Sequence, residues 1–103
     1  MVMPRVLKHV VIWTLHKSQD ADRFKNLLDS CAQLVPGMLS FDVGIRSECL
    51  EANADVVLVS EFASREALEA YLHHPHHKEV AAQLGPMRLQ RAVVDYWSPS
   101  SAE

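Results

Sequence analysis

Four of the chain's six histidines fall within five positions, His73-His74-Pro75-His76-His77, directly after Tyr71-Leu72. Histidine titrates near neutral pH, and a tyrosine hydroxyl can donate a proton or orient an oxygen. Acid–base chemistry is therefore one use of the segment, with Tyr71 and His77 as the pair. In an unbroken helix, residues six apart point in different directions. A break at Pro75 could return both to one cavity, because its ring clashes with the preceding turn and removes a donor. A metal site is a second use, since His73 and His77 stand four apart and could share a helix face. Pro75 spoils that geometry and no carboxylate or cysteine lies at matching spacing, so no metal is expected. In a third use the histidines cap two helical pieces and decorate the surface. Spacing alone leaves the choice open.

His9 lies between apolar residues on its own face of a strand. It is either a satisfied buried histidine or a group lining a cavity. Trp13, Phe41, Tyr96 and Trp97 read as core or dimer packing rather than a cofactor box. Asp55, Glu61 and Asp95 occur singly on strands, so no paired-carboxylate site is indicated. Gly-rich phosphate loops, nucleophile elbows and dinucleotide fingerprints are absent from the sequence, and no cofactor is expected. Cys31 and Cys49 have neither metal spacing nor a disulfide framework, and Cys31 falls on an apolar helix face as a reduced packing residue.

These side chains must be positioned by a short set of elements. Arg5 to Leu15 alternates, with Leu7, His9, Val11, Trp13 and Leu15 on one side and Val6, Val10 and Ile12 on the other. A strand apolar on both faces must be covered on both. A helix follows, with Ser18 or Asp20 as its cap and Asp22 in its first turn. Phe24, Leu27, Leu28, Cys31, Leu34 and Val35 form its apolar stripe, and Pro36-Gly37 ends it. Met38 to Arg46 is a second strand, with Leu39, Phe41, Val43 and Ile45 on one face. Asp55 to Phe62 is a third, rich in valine. Ser64 caps a helix that buries Ala67, Leu68, Tyr71 and Leu72 until Pro75 interrupts it. A further helical piece runs from about His76 to Leu84. Arg88 to Trp97 is the last strand, and residues 98–103 read as a flexible polar tail.

The 103 residues make one domain, 1–103, with 49% hydrophobic and 22% charged residues, both ordinary for a globular fold. A net charge of −3 without a Lys/Arg run leaves no basic footprint for nucleic acid or an anionic membrane. The early apolar run Val10 to Trp13 is too short for a signal-peptide core or a membrane span. A reduced, cytoplasmic protein is expected. The order βαββαβ predicts an α+β, ferredoxin-like antiparallel sheet with its helices on one face. The other face would be a larger apolar patch than a monomer usually tolerates. Face-to-face docking of two sheets in a two-fold homodimer would cover it.

The chain also resembles the stress-responsive A/B barrel (Dabb) family along nearly its whole length. The matching stretches are Lys8-His9-Val10-Val11, Pro36-Gly37 with Phe41-Asp42-Val43-Gly44, and Asp55 to Phe62. Ala67-Leu68-Glu69-Ala70-Tyr71, His74-Pro75-His76-His77 and Val93-Val94-Asp95-Tyr96 complete them. The resemblance implies a ferredoxin-like subunit in a dimeric α/β barrel. It says less about activity, since many members are stress-associated proteins of unsettled biochemistry. One characterised member is a polyketide cyclase needing no metal or organic cofactor, whose catalytic tyrosine and histidine would correspond to Tyr71 and His77. The family's first-strand histidine corresponds to His9 and its His-Pro histidine to His74. Asp55-Val56-Val57 lacks an additional histidine that the cyclase carries near this point, so its substrate does not transfer. The expectation is a homodimer with a pocket for a small apolar or aromatic molecule, lined by His9, His74, Trp13 and Phe41. The alternative is a cofactor-independent lyase or cyclase using Tyr71 and His77.

Overall fold

The alternating residues from Arg5 onward form an eleven-residue strand, β1 (Arg5–Leu15), in a computed structural model that describes residues 4–100. A 3₁₀ turn at Ser18–Asp20 leads into α1 (Ala21–Asp29). β2 (Met38–Ile45) and β3 (Val56–Phe62) follow, then α2 (Arg65–His73) and α3 (Pro75–Leu84). A second 3₁₀ turn at Gly85–Met87 precedes β4 (Arg88–Pro99). The sheet order is β2-β3-β1-β4, with every neighbouring pair antiparallel. This is the expected ferredoxin-like arrangement, its second helix divided at Pro75.

The ladder decides which side chains meet. His9 lies between Ser60 on β3 and Asp95 on β4, and Trp13 between Val56 and Arg91. Leu7, His9, Val11, Trp13 and Leu15 are buried with Leu58, Ser60 and Phe62 on the face that carries the helices. Burying apolar surface there is the main stabilising contribution, roughly 25 cal/mol per Å² removed from water. The buried polar residues His9, Asp55 and Ser60 are paired, His9 with Asp95. The Ser60 hydroxyl donates to the His9 carbonyl at 2.8 Å, and Asp55 accepts from the Leu15 amide at 2.8 Å. On the opposite face, Ile12, Val59, Val94 and Tyr96 stay exposed. Of the two faces of β1, the one bearing Val10 and Ile12 is therefore the open one.

Local chemistry shifted several boundaries. α1 ends at Asp29, so Cys31, Leu34 and Val35 pack on the core from a turn rather than a helix. The Ser30 hydroxyl donates to the Leu27 carbonyl at 2.6 Å, and the Cys31 and Ala32 amides reach carbonyls three residues back. That tightens the last turn, and Pro36 biases Val35 away from helix. Neither Ser18 nor Asp20 caps α1 through its side chain, the 3₁₀ turn providing the lead-in instead. Pro36-Gly37 does turn the chain. Gly37 has φ +92°, and a Cβ there would lie 2.8 Å from the Ala67 Cβ, so only glycine fits. Leu39 occupies an irregularity between Met38 and Ser40 and is 54% exposed instead of joining the buried face of β2. Ser98 and Pro99, expected in the tail, extend β4 opposite Val6 and Arg5. Residues 101–103 of that expected tail lie outside the described residues.

Candidate functional site

The joint between α2 and α3 sorts the four clustered histidines. The Ser64 hydroxyl accepts from the Ala67 amide at 3.1 Å and starts α2. At the far end His74 is extended (φ −63°, ψ 136°) and its Nδ1 accepts from the His76 amide at 3.0 Å. His74 is thus the N-cap of α3, with Pro75 at the first helical position, where a missing N–H costs nothing. His73 Nδ1 bonds the Glu69 carbonyl at 2.8 Å, and His76 Nε2 pairs with the Ser30 hydroxyl at 2.8 Å. His73 and His74 serve local structure, and His76 ties α3 to the turn after α1. Only His77 turns inward.

His77 reaches a cavity of about 240 Å³ between the helices and the sheet. Val11, Trp13, Leu28, Leu58, Val80 and Leu84 form most of its apolar wall, and its polar groups are His9, Tyr71, His77, Arg88 and Arg91. The Tyr71 and His77 rings lie 4.6 Å apart between centroids, tilted by 60°. Tyr71 is fully buried against Phe62, Phe41 and His9, with centroid distances of 5.3, 6.2 and 6.3 Å. His9 Nδ1 is 2.5 Å from Asp95 Oδ1, which holds the ring through that nitrogen. His9 is both alternatives at once, a satisfied buried histidine and a cavity wall.

Burial, and to a smaller extent the Cys31 thiol, pushes the Tyr71 hydroxyl well above its ordinary range, so it stays protonated and donates. His77 moves the other way. Burial is the largest cause, the Leu72 carbonyl opposes it, and the charged forms of His9, Arg91 and His74 add to it. The result is a neutral imidazole near pH 7. Its Nδ1 is buried without a hydrogen-bond partner among the described residues. Burial also raises the Cys31 thiol, countered in part by a hydrogen bond with Ser30, and so disfavours its thiolate.

Of the residues singled out from the sequence, Tyr71, His77, His9 and Trp13 meet at this cavity. His74 and Phe41 do not line it. His74 is committed to capping, and Phe41 stands behind Tyr71 as packing. The sequence marks Asp95 only as a lone strand carboxylate and gives no site signal for Arg88 or Arg91, because their positions depend on cross-strand register. Among the described residues, no three His, Cys, Asp or Glu side chains group so as to hold a metal ion. Nor is any described helix long and apolar enough to cross a membrane. A protonated phenol, a neutral imidazole and a carboxylate-held imidazole around an apolar space can bind a small polar-tipped molecule or move one proton.

The family described as Stress responsive A/B Barrel Domain (Dabb) matches residues 7–98. No curated protein matches the sequence. Solved structures do. A dimeric ferredoxin-like protein of unknown function from Thermobifida fusca is 17% identical with a TM-score of 0.79, covering 93% of each chain. A Dabb family protein with a ferredoxin-like fold from Mesorhizobium loti is 23% identical, TM-score 0.74, covering 94% of this chain and 99% of that one. A hydroxynitrile lyase from Passiflora edulis is 18% identical, TM-score 0.77, covering 97% and 99%. At these identities the likeness is one of fold.

Proposed function

We propose a function from one premise: the chain belongs to the stress-responsive A/B barrel (Dabb) family. On that premise it is a homodimeric barrel protein whose cavity takes a small apolar or aromatic molecule. The observation that carries this reading is the roughly 240 Å³ space where His9, Tyr71 and His77 converge on apolar walls. It is smaller than the roughly 300–1,000 Å³ of drug-sized sites, so a one-ring guest suits it. Trp13 offers a flat apolar wall, Tyr71 a donor, and the neutral His77 imidazole an acceptor.

The second copy covers the open sheet face. Ile12, Val59, Val94 and Tyr96 are adjacent there through the ladder, an apolar surface that a closed two-fold contact removes from water. The Thermobifida fusca protein of this fold is described as dimeric, which supports the same assembly. Two free cysteines, Cys31 and Cys49, support a reducing, cytoplasmic location.

The experiment is a thermal-shift and calorimetric panel of one-ring aromatic compounds against the wild type and His77→Ala. A compound that stabilises only the wild type supports the site. Equal shifts in both proteins, or none with any compound, would remove it.

The contact between Tyr71 and the neutral His77 ring favours a second reading, a cofactor-independent lyase or cyclase. The His77 imidazole would take a proton from carbon next to a carbonyl, and the Tyr71 hydroxyl would hydrogen-bond the enolate oxygen. The enolate carbon would then bond a second carbonyl carbon as that C=O π bond opens, His77 would return the proton to the new alkoxide, and a lyase would run these bond changes in reverse. Deuterium exchange into small aryl ketones, followed by NMR, tests it. Exchange that persists unchanged in His77→Ala would end this reading.

A further inference from the structure

We propose that Arg88 and Arg91 make this cavity a site for a small organic carboxylate, its apolar body inside and its carboxylate at the β4 rim. The inference rests on the small-molecule reading above and names the class of guest. Its first support is the register of β4. Residues three apart on a regular strand face opposite sides of a sheet. Arg91 pairs with Trp13 and Gln90 with Thr14, after which the ladder shifts and Arg88, rather than Leu89, pairs with Leu15. Trp13 and Leu15 share the helix-covered face. The bulge therefore turns both arginines to the same face, and both line the cavity. It also displaces Leu89, which is left 59% exposed. Without the extra residue, Leu89 would face Leu15 and Arg88 would point to the opposite side. Re-aiming a side chain beside a site is a characteristic use of a bulge.

The second support is charge. The ion pairs among the described residues are Lys8–Glu61, His9–Asp95, Lys25–Asp29 and Arg65–Glu69, so neither Arg88 nor Arg91 has an acidic partner there. Asp95, two places along from Val93 on the same face of β4, is committed to His9. The rim carries two unneutralised guanidiniums above an apolar floor, with a protonated phenol and a neutral imidazole deeper in. Guanidinium is the side chain whose planar fork matches a carboxylate. A neutral aromatic guest would leave that charge unanswered. An aryl or arylalkyl carboxylate uses every wall.

The test compares each acid with its own amide, benzoate with benzamide and phenylacetate with phenylacetamide. Calorimetry measures affinity, and the Tyr71 and His77 ring resonances report that binding is in this cavity. The wild type is expected to bind at least one of the two acids about tenfold or more tighter than its amide. In the double variant Arg88→Gln/Arg91→Gln that preference should fall to within about twofold, through loss of affinity for the acid. Each single variant should lose part of it, which keeps the proposal decidable if the double variant does not fold. Amides binding as tightly as acids, or a preference that survives every variant, would overturn the arginine assignment and leave the cavity reading standing. Silence of the Tyr71 and His77 resonances toward all four probes would overturn both.

Discussion

Asp95 on β4 holds His9 on β1 across the ladder, Oδ1 to Nδ1 at 2.5 Å, between residues 86 apart in the sequence. One partner is buried and the other is 41% exposed at its side chain. The pair joins the solvent-facing edge of the sheet to the interior of the cavity. It also engages Nδ1 of His9 and not Nε2.

Removing the carboxylate leaves the buried imidazole short of a partner. Asp95→Ala should lower stability by about 1 kcal/mol, the low end of the cost of an unsatisfied group because the aspartate is part exposed. Asp95→Asn, which retains a hydrogen-bonding side chain, should lose less. Urea unfolding of the three proteins checks this, and equal midpoints would show that the pair contributes nothing.

Tyr71 separates packing from chemistry. Tyr71→Ala empties a fully buried site and should cost about 3–5 kcal/mol, as large core aromatics do. Tyr71→Phe keeps the ring contacts with Phe62 and His77, so its melting temperature should stay near the wild type while binding of hydroxyl-dependent guests weakens. A Phe variant that melts as early as the Ala variant would mean the hydroxyl has a structural role.

The depressed His77 site gives stability a pH dependence of definite sign. The folded protein holds this ring less protonated than the unfolded chain, whose histidine keeps the ordinary value of 6.5. The unfolded state therefore binds more protons between the two values, and stability rises with pH through that window. Its contribution is complete above about pH 6.5 and is lost as pH falls towards the folded value. His77→Gln removes the titrating ring, so unfolding free energies of the two proteins between pH 7.5 and 5 should diverge as acid is added. Parallel curves would contradict the assignment.

His74 should behave as a cap and not as a ligand contact. Its Nδ1 satisfies the His76 amide, so His74→Ala should cost about 0.5–2 kcal/mol, and His74→Asp should recover most of it. Guest affinity, measured by calorimetry, should be unchanged in both. A selective loss of affinity in His74→Asp would return His74 to the site.

The open sheet face supplies the last prediction. Val94 is 60% exposed in the single chain, so Val94→Lys should leave the fold intact and disrupt a face-to-face dimer. Sedimentation velocity should show the wild type as a dimer and the variant shifted to monomer. A wild type that remains monomeric at high concentration would remove the assembly.

Much of this architecture is legible in the sequence because it depends on chemistry within a few residues. Alternation places Leu7, His9, Val11 and Trp13 on one side of β1 wherever that strand pairs. Ser64 caps α2 through its own neighbours, and Pro75 breaks the helix because its ring and missing N–H act on the adjacent turn. That break is what lets Tyr71 and His77, six apart, share a space. Even the brevity of α1 has a local cause in the Ser30 hydroxyl and Pro36, though competing weak preferences hid it.

What tertiary structure alone decided is everything that depends on register. Shifting a pairing by one residue moves every side chain to the other face, and no short stretch of sequence reveals where a ladder slips. So the meeting of His9 with Asp95, the displacement of Leu89, and the turning of Arg88 beside Arg91 appear only when β1 and β4 are laid together. The same holds for Phe41, apolar and inward as its pattern required, yet placed behind Tyr71 instead of at the cavity. Local bonding determines the elements; the summed pairing of distant strands determines which of their side chains share one volume.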